Sequence, residues 1–225
     1  MISLEKINVH FGKGTAAFRI AIKNLNLKIN EGEFLTVIGS NGAGKSTLLN
    51  TIAGEILPDS GKIYIDDEVV TNQGTNVRAK HVARVFQDPI AGTCANLTIA
   101  ENLALALKRG KPRLLKKAVN NESRALFKEI LQPLNLGLEN RLDTLMAMLS
   151  GGQRQAVSLL MATLSPLKIL LLDEHTAALD PKTSKFVMEL TNRIVNEKGL
   201  TTLMVTHSLN QALQYGTRTI MLHEG

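Results

Sequence analysis

A glycine-rich loop between an apolar strand and a helix constrains this chain more than any other stretch. The loop reads Gly39-Ser40-Asn41-Gly42-Ala43-Gly44-Lys45-Ser46-Thr47. Residues 34–38 before it are apolar and β-rich, and residues 48–53 after it have a helical pattern that ends at Gly54. A G-x-x-x-x-G-K-[ST] match in this strand–loop–helix context predicts a phosphate-binding loop.

The loop residues have the chemistry that a triphosphate needs. Glycines let backbone N–H groups turn toward an anion, and the start of the helix adds partial positive charge. Lys45 can then reach the β- and γ-phosphate oxygens, and the Ser46 hydroxyl can ligate Mg²⁺. A turn that only joins strand to helix has no need of this Lys-Ser pair, and a dinucleotide fingerprint would place a third glycine where Thr47 stands. We therefore predict a nucleoside-triphosphate site.

Composition narrows the class of protein further. A chain of 225 residues can form one large domain or two intimate subdomains. It has no apolar stretch of the roughly 18–20 residues that span a bilayer, and charge near the N-terminus argues against a signal peptide. Cys94 is the one cysteine, which excludes an internal disulfide and agrees with a reducing cytosol. The absence of Trp gives little support to stacking on single-stranded nucleic acid.

Apart from the loop, the chain alternates between strand-rich and helix-rich regions. Period-2 alternation in residues 1–10, 20–22, 25–29 and 61–67 predicts antiparallel strands. Residues 90–150 are helical in texture: Thr98 begins a capping box for a helix over 97–109, and a second helix over about 119–134 carries Leu126, Ile130, Leu131 and Leu134 on one face. The basic run between them (Lys108, Arg109, Lys111, Arg113, Lys116 and Lys117) is either a solvated connection or a surface for anionic lipid headgroups.

Several polar residues follow predicted strands. Asp173 and Glu174 end the apolar strand that begins at Ile169; Asp173 can hold Mg²⁺, and Glu174 can orient and deprotonate an attacking water. His207 follows the strand over 201–206 and can reach a γ-phosphate, while Gln87 follows a strand over 82–86 and can offer its amide oxygen to Mg²⁺. Leu149-Ser150-Gly151-Gly152-Gln153 precedes a helix predicted to begin at Arg154, which is a second helix start able to bind an anion.

Together these motifs resemble the ATP-binding cassette ATPase family over essentially the whole chain. Residues 39–47 are similar to its phosphate loop, Gln87 to its Q-loop, residues 149–153 to its signature, Asp173-Glu174 to its Walker B pair, Asp180 to its D-loop and His207 to its switch histidine. The resemblance implies one ATP-binding domain over 1–225. Its RecA-like α/β core and antiparallel β-subdomain would occupy 1–89 and 151–225, and its helical subdomain 90–150. It also suggests Phe11 as the aromatic residue that stacks on adenine.

The resemblance further implies how such a chain works. Two copies would pair head to tail on binding ATP, and Ser150, Gly151, Gly152, Gln153 and Asp180 of one copy would reach the nucleotide of the other. Lys45, Gln87, Glu174 and His207 would be catalytic. The expected cofactors are ATP and Mg²⁺. The expected partners are integral-membrane permease subunits and, through them, a solute-binding protein, with no nucleic acid. The expected location is cytoplasmic, peripheral on the inner face of the cell membrane.

One segment departs from the usual pattern of the family. His175-Thr176-Ala177-Ala178 stands where Pro-Thr-Ser-Gly is more common, and this form, like residues 85–93, is similar to a subgroup of bacterial ATPases assigned to tryptophan or tyrosine uptake. It favours an importer of amino acids or similar small solutes; an exporter or lipoprotein-release ATPase and a soluble non-transport cassette are the alternatives. His175 either packs passively or perturbs the protonation of Glu174. Members of the family usually continue with another strand and helix beyond the position that corresponds to Gly225.

Overall fold

The computed structural model describes residues 1–111 and 117–225, which separate into two compact units. The first contains Met1–Arg84, Leu167–Glu174 and Val195–Gly225, and the second Val85–Pro166 and His175–Ile194. Two residues of the basic run, Arg113 and Lys116, lie outside the described residues. No helix in the described ranges combines the length and the apolar character that a membrane crossing requires.

Strands and helices follow one another along both units. The strands are β1 (Ile2–Phe11), β2 (Arg19–Ile29), β3 (Phe34–Gly39), β4 (Ser60–Ile65), β5 (Glu68–Val69), β6 (Val82–Val85), β7 (Ile169–Asp173), β8 (Thr202–Val205) and β9 (Arg218–Leu222). The α-helices are α1 (Lys45–Ala53), α2 (Thr75–Arg78), α3 (Ile99–Leu107), α4 (Asn121–Leu131), α5 (Gly151–Thr163), α6 (Pro181–Lys198) and α7 (Leu209–Tyr215). Short 3-10 helices lie at Gln132–Leu134, Leu138–Asn140 and Met146–Met148.

The first unit contains an antiparallel sheet, as the alternating segments predict. Its order is β2-β1-β4-β5, and β1 pairs antiparallel with both β2 and β4. Residues 20–22 and 25–29 belong to one strand, β2. Its pairing with β1 shifts register between Leu4 and His10, and these shifts accommodate the break in alternation between the two runs. The inward side chains of this sheet join one core cluster with those of β3, α1, β7 and β8.

The second sheet of this unit determines where the polar residues lie. Its order is β6-β7-β8-β3-β9, and the pairs β7–β8, β8–β3 and β3–β9 are parallel. Leu170, Leu171 and Leu172 are fully buried, as expected for a central strand. Because parallel strands end at the same edge, the residues after β3, β7 and β8 lie at one edge of the sheet, where α/β proteins bind ligands.

In the second unit, capped helices pack around an apolar core. Thr98 forms the predicted capping box with Glu101 at the start of α3, and Asn120 forms a second one with Ser123 at the start of α4. Phe127 and Leu131 of α4 are buried, whereas Leu126, which was predicted to share a face with Leu131, is exposed. Arg109 donates to the carbonyl oxygens of Ala162 at 2.7 Å and Ser165 at 3.0 Å. This arginine is therefore engaged within the protein and is not available to lipid headgroups.

Two helices differ from the sequence-based expectation. The helix expected from Arg154 begins at Gly151, because Ser150 and Gln153 cap its first turn reciprocally. The long helix α6 was not predicted, because its apolar residues are interspersed with Lys, Thr, Ser and Asn. Val187, Met188, Leu190 and Ile194 nevertheless recur at helical spacing and are buried. The capped C-terminal end of α1 at Gly54 is confirmed, with Gly54 in the left-handed region and its N–H on the carbonyl oxygens of Asn50 and Thr51.

Candidate nucleotide-binding site

The loop between β3 and α1 has a backbone that only glycine adopts easily. Gly39 has φ 152° and Gly44 φ 103°, both in the region that side chains disfavour. A Cβ atom on Gly44 would also lie 2.5 Å from the carbonyl oxygen of Ala21, which leaves no room for a methyl group. The helix that starts at Lys45 has no side-chain cap in the described structure. Its first N–H groups are therefore the kind of donors that bind phosphate.

Lys45 is held against the loop itself. Its side chain is buried, and Nζ donates to the carbonyl oxygens of Gly39 at 2.8 Å and Ser40 at 3.0 Å. These contacts satisfy two of the three ammonium donors and position the charge beside the loop amides. Ser46, the next residue, is exposed. The predicted phosphate-contacting lysine and metal-ligating hydroxyl are thus both presented at the start of α1.

Glu174 and His207 meet at the edge of the parallel sheet. Glu174 Oε1 lies 2.7 Å from His207 Nε2, with 14% of the Glu174 side chain and 48% of the His207 side chain exposed. The Glu174 N–H donates to the carbonyl of Val205, which ties the end of β7 to β8. Glu174 also has φ 45°, a left-handed backbone conformation that is uncommon outside glycine and concentrates at functional sites.

One open groove in the first unit brings the loop and this pair together. It is lined by Arg19, Ile20, Ala21, Asn41, Gly42, Gly44, Lys45, Ser46, Thr47, Glu174 and His207. A carboxylate in contact with an imidazole therefore lines the same groove as a loop with phosphate-binding geometry. This arrangement can bind a triphosphate and activate a water beside its terminal phosphate.

Asp173 contacts a residue that the sequence analysis did not single out. Its Oδ2 accepts a hydrogen bond from Arg84 Nη2 at 2.6 Å. Arg84 lies within the apolar strand β6. Because buried charges are normally paired, a charged residue in such a strand was the sequence feature that could have predicted an acidic partner.

Phe11 lies half-buried against the core of the first unit. The guanidinium carbon of Arg19 stands 5.1 Å from the centre of its ring, a cation–π distance. Arg19 lines the groove together with its β2 neighbour Ile20, whereas Phe11 is not among the lining residues. Stacking of adenine on Phe11 therefore stays a prediction.

The other candidate residues belong to the second unit. Gln87 is exposed just after β6, and the buried Gln155 donates to the carbonyl of the preceding Phe86 at 3.1 Å. Ser150 and Gln153 form the reciprocal cap of α5. Asp180 accepts from the Thr183 N–H at 3.1 Å, and its bonds with the Thr183 side chain and backbone hold the pKa of this carboxyl below its usual range.

His175 has a packing role in the second unit. It is 2% exposed, and its Nε2 lies 3.0 Å from Thr191 Oγ1 on α6. Burial lowers the pKa of His175 to about 4, so the imidazole is neutral near pH 7.

A parallel sheet with a glycine loop, a lysine at the start of a helix and a carboxylate at the end of another strand of the same sheet defines a P-loop nucleoside triphosphatase. Comparison with known proteins is more specific. The ABC transporter family model matches residues 22–177. A tyrosine transport ATP-binding protein of Clostridioides difficile is 50% identical over 225 residues, covering 100% of this chain and 89% of that protein. The thiamine import ATP-binding protein ThiQ of Yersinia pestis is 36% identical, covering 100% and 87%.

A solved structure agrees with these relatives. The dimeric ATP-binding cassette MJ0796, in a post-hydrolysis state bound to ADP and Pi, matches this chain with a TM-score of 0.83 and 35% identity, covering 100% of this chain and 95% of that one. The chain belongs to the ABC transporter family and is one of its ATP-binding, ATP-hydrolysing subunits. The expected fold class, a P-loop α/β core with an antiparallel sheet and helices, is confirmed.

Proposed function

We propose that this chain powers a bacterial importer of an amino acid such as tyrosine, or of a similar small solute, by hydrolysing ATP at the groove of its first unit. The observation that carries the chemistry is the Glu174–His207 pair at 2.7 Å in the same groove as the phosphate loop. The substrate class is supported by 50% identity to a tyrosine transport ATP-binding protein along the whole chain.

The phosphate loop, Glu174, His207 and Phe11 each have a distinct role in this proposal. The loop over residues 39–47 binds the triphosphate through its amides, and Lys45 exchanges its carbonyl contacts for phosphate oxygens. Glu174 takes the proton of the attacking water. His207, hydrogen-bonded to Glu174, keeps the carboxylate oriented and faces the γ-phosphate. Phe11 stacks on the adenine.

The available oxygen donors fit Mg²⁺. Ser46 supplies a hydroxyl, Gln87 an amide and Asp173 a carboxylate, and Mg²⁺ bound with ATP takes one or two protein carboxylates besides phosphate oxygens and water. Asp173 suits this because Arg84 engages its Oδ2 and fixes the orientation of the carboxylate. When bound, Mg²⁺ neutralises phosphate charge as the terminal bond breaks.

A second copy completes the site in this proposal. Ser150, Gly151, Gly152, Gln153 and Asp180 of one copy approach the γ-phosphate bound by the other, so ATP holds two cassettes together and hydrolysis releases them. Support comes from the dimeric state of the MJ0796 cassette. A helix start contributes partial positive charge that an anion can use, which agrees with this role for α5.

The remaining partners follow from the family. We propose that integral-membrane permease subunits bind the chain at the cytoplasmic face of the cell membrane. A solute-binding protein would act through the permease, and nucleic acid is not a partner. Affinity capture from membranes, with the permease and any solute-binding protein identified, tests this part. Copurification with ribosomes or DNA would contradict it.

Replacing the proposed base tests the chemistry. Glu174→Gln keeps the size of the side chain but cannot accept the proton, so we expect ATP hydrolysis to fall by roughly 10²–10⁴-fold. ATP binding should persist, and size-exclusion chromatography with ATP should show a dimer. Glu197→Gln, an exposed change on α6, is the matched control and should hydrolyse ATP normally. Unchanged phosphate release by Glu174→Gln would remove Glu174 from its role.

A further inference from the structure

Arg84, on β6, connects its own strand to β7 and to α1 in the first unit. Its Nη2 donates to Asp173 Oδ2 on β7 at 2.6 Å, and its Nη1 donates to Asn50 Oδ1 on α1 at 2.7 Å and to Glu55 Oε1 at 2.9 Å. Only 11% of the Arg84 side chain is exposed, and 15% of the Asp173 side chain. A charge-assisted network this sheltered from water holds its members in fixed orientations.

The network joins the two elements that carry the proposed metal ligands. Asn50 follows Ser46 by four residues on α1, so both side chains lie on the same face of that helix, one turn apart. Asp173 ends β7, the strand that presents the carboxylate. Arg84 therefore fixes the strand that bears Asp173 relative to the helix face that bears Ser46.

The chemistry of the guanidinium suits this task. It is planar, always charged and able to bind two acceptors at once through its fork. With Oδ2 engaged by Arg84, the Asp173 carboxylate cannot rotate freely, and Oδ1 is the oxygen that can turn to a metal ion. Residues that orient a metal ligand in this way typically contribute 10–100-fold to metal affinity or activity.

We propose that Arg84 is a positioning residue that aligns Asp173 with Ser46 for the Mg²⁺ that accompanies ATP. The inference rests on the Mg²⁺ site of the proposed function. It adds a requirement that the motifs do not contain: the charged residue of β6 sets how strongly Mg²⁺ enhances nucleotide binding, without touching the nucleotide.

The test measures binding instead of turnover. In a Glu174→Gln background, the affinity for a fluorescent ATP analogue is measured with excess Mg²⁺ and again with EDTA, and the ratio of the two is the magnesium gain. Arg84→Met should lower the magnesium gain by roughly tenfold or more. Its affinity in EDTA should stay within about twofold of the background, because the loop amides and Lys45 are unchanged. Thermal unfolding without nucleotide monitors folding, and Arg84→Gln serves if Arg84→Met does not fold.

Two further variants separate positioning from general damage. Glu55→Gln removes the outer carboxylate while leaving the Asn50 and Asp173 contacts, so its magnesium gain should match the background. Adding Arg84→Met to Asp173→Asn should lower the gain no further than Asp173→Asn alone, because both changes act through one carboxylate.

The results that would contradict the role of Arg84 differ from those that would contradict the proposed metal site. An unchanged magnesium gain in Arg84→Met, or equal losses of affinity in Mg²⁺ and in EDTA, would overturn the positioning role while the proposed function stands. If the Glu174→Gln background itself shows no magnesium gain, the proposed metal site is wrong, and the role of Arg84 is wrong with it.

Discussion

Gly152, in the first turn of α5, packs against Thr183 of α6. A Cβ atom on Gly152 would lie 3.5 Å from Thr183 Cβ and 3.8 Å from Thr183 Oγ1, which are ordinary contacts, but it would overlap the Thr183 Cγ2 methyl group. Of these nearest atoms, the Cγ2 methyl group of Thr183 is therefore the one that leaves no room for a Cβ atom at position 152. A Cβ atom on the adjacent Gly151 would lie 3.4 Å from Leu179 Cδ2, a contact that the Leu179 side chain can accommodate.

These contacts predict that, in a double-mutant cycle, the effect of Gly152→Ala on the free energy of unfolding changes sign when Thr183 is replaced by serine. Forcing a methyl group into packed space costs about 1–3 kcal/mol, while replacing glycine by alanine within a helix gains up to about 1 kcal/mol. Gly152→Ala should thus lower the free energy of unfolding by roughly 1–2 kcal/mol. In a Thr183→Ser background, which removes Cγ2 but keeps the hydroxyl, the same substitution should raise it by about 0.5–1 kcal/mol. The expected coupling is about 2 kcal/mol, as found between residues in contact.

Urea unfolding of the four proteins, followed by circular dichroism, measures the cycle. Gly151→Ala is the matched control: without a comparable overlap, it should leave the free energy of unfolding unchanged or raise it by up to about 1 kcal/mol. The reasoning is refuted if Gly152→Ala is as stable as the wild type. It is equally refuted if Gly152→Ala costs the same in both Thr183 backgrounds, because the loss would then not arise from Cγ2.

Two further substitutions test buried polar groups. Arg78 is fully buried and donates to the carbonyl oxygens of Thr51, Ile52, Val70 and Thr71. Arg78→Met should therefore lower the free energy of unfolding, measured in guanidinium, by at least about 3 kcal/mol, and Arg78→Lys by an intermediate amount. An Arg78→Met protein as stable as the wild type would contradict this. His175, whose burial lowers its pKa to about 4, binds no proton in the folded state until the pH nears that value, whereas the unfolded chain binds one below about 6.5. Stability is therefore lost as the pH falls from about 6.5 to 4, by roughly 3 kcal/mol, and His175→Gln should lose less over the same range in pH-dependent unfolding.

The local part of the site could be predicted from the sequence. The phosphate loop was recognisable because glycine, lysine and serine positions each follow from a backbone or charge requirement within nine consecutive residues. Glu174 and His207 were placed at a common edge because parallel strands carry their C-terminal residues to the same side. The structure adds their contact at 2.7 Å, which no spacing along the chain specifies.

The contacts that the sequence analysis missed depend on residues far apart in the chain. Arg84 lies 34 residues from Asn50 and 89 from Asp173, so its network exists only after the strands have assembled. The helix start at Gly151 was missed for a local reason: glycines have low helix propensity, and the Ser150–Gln153 cap outweighs that preference. The close packing of Gly152 is against Thr183 on another helix, a contact that no local pattern specifies.

The two helix starts implicated in nucleotide binding are capped differently, and the difference agrees with their proposed roles. The described structure gives α1 no side-chain cap, so the donors of its first turn remain for phosphate, and the buried Lys45 adds a full charge. In α5 the Ser150 hydroxyl already accepts from the Gln153 N–H, and the Gln153 side chain accepts from the Ser150 N–H. A partly satisfied helix start binds an anion less strongly than an uncapped one beside a lysine. The first suits a site that retains ATP, and the second suits a contact that forms with the γ-phosphate of another copy and is lost after hydrolysis.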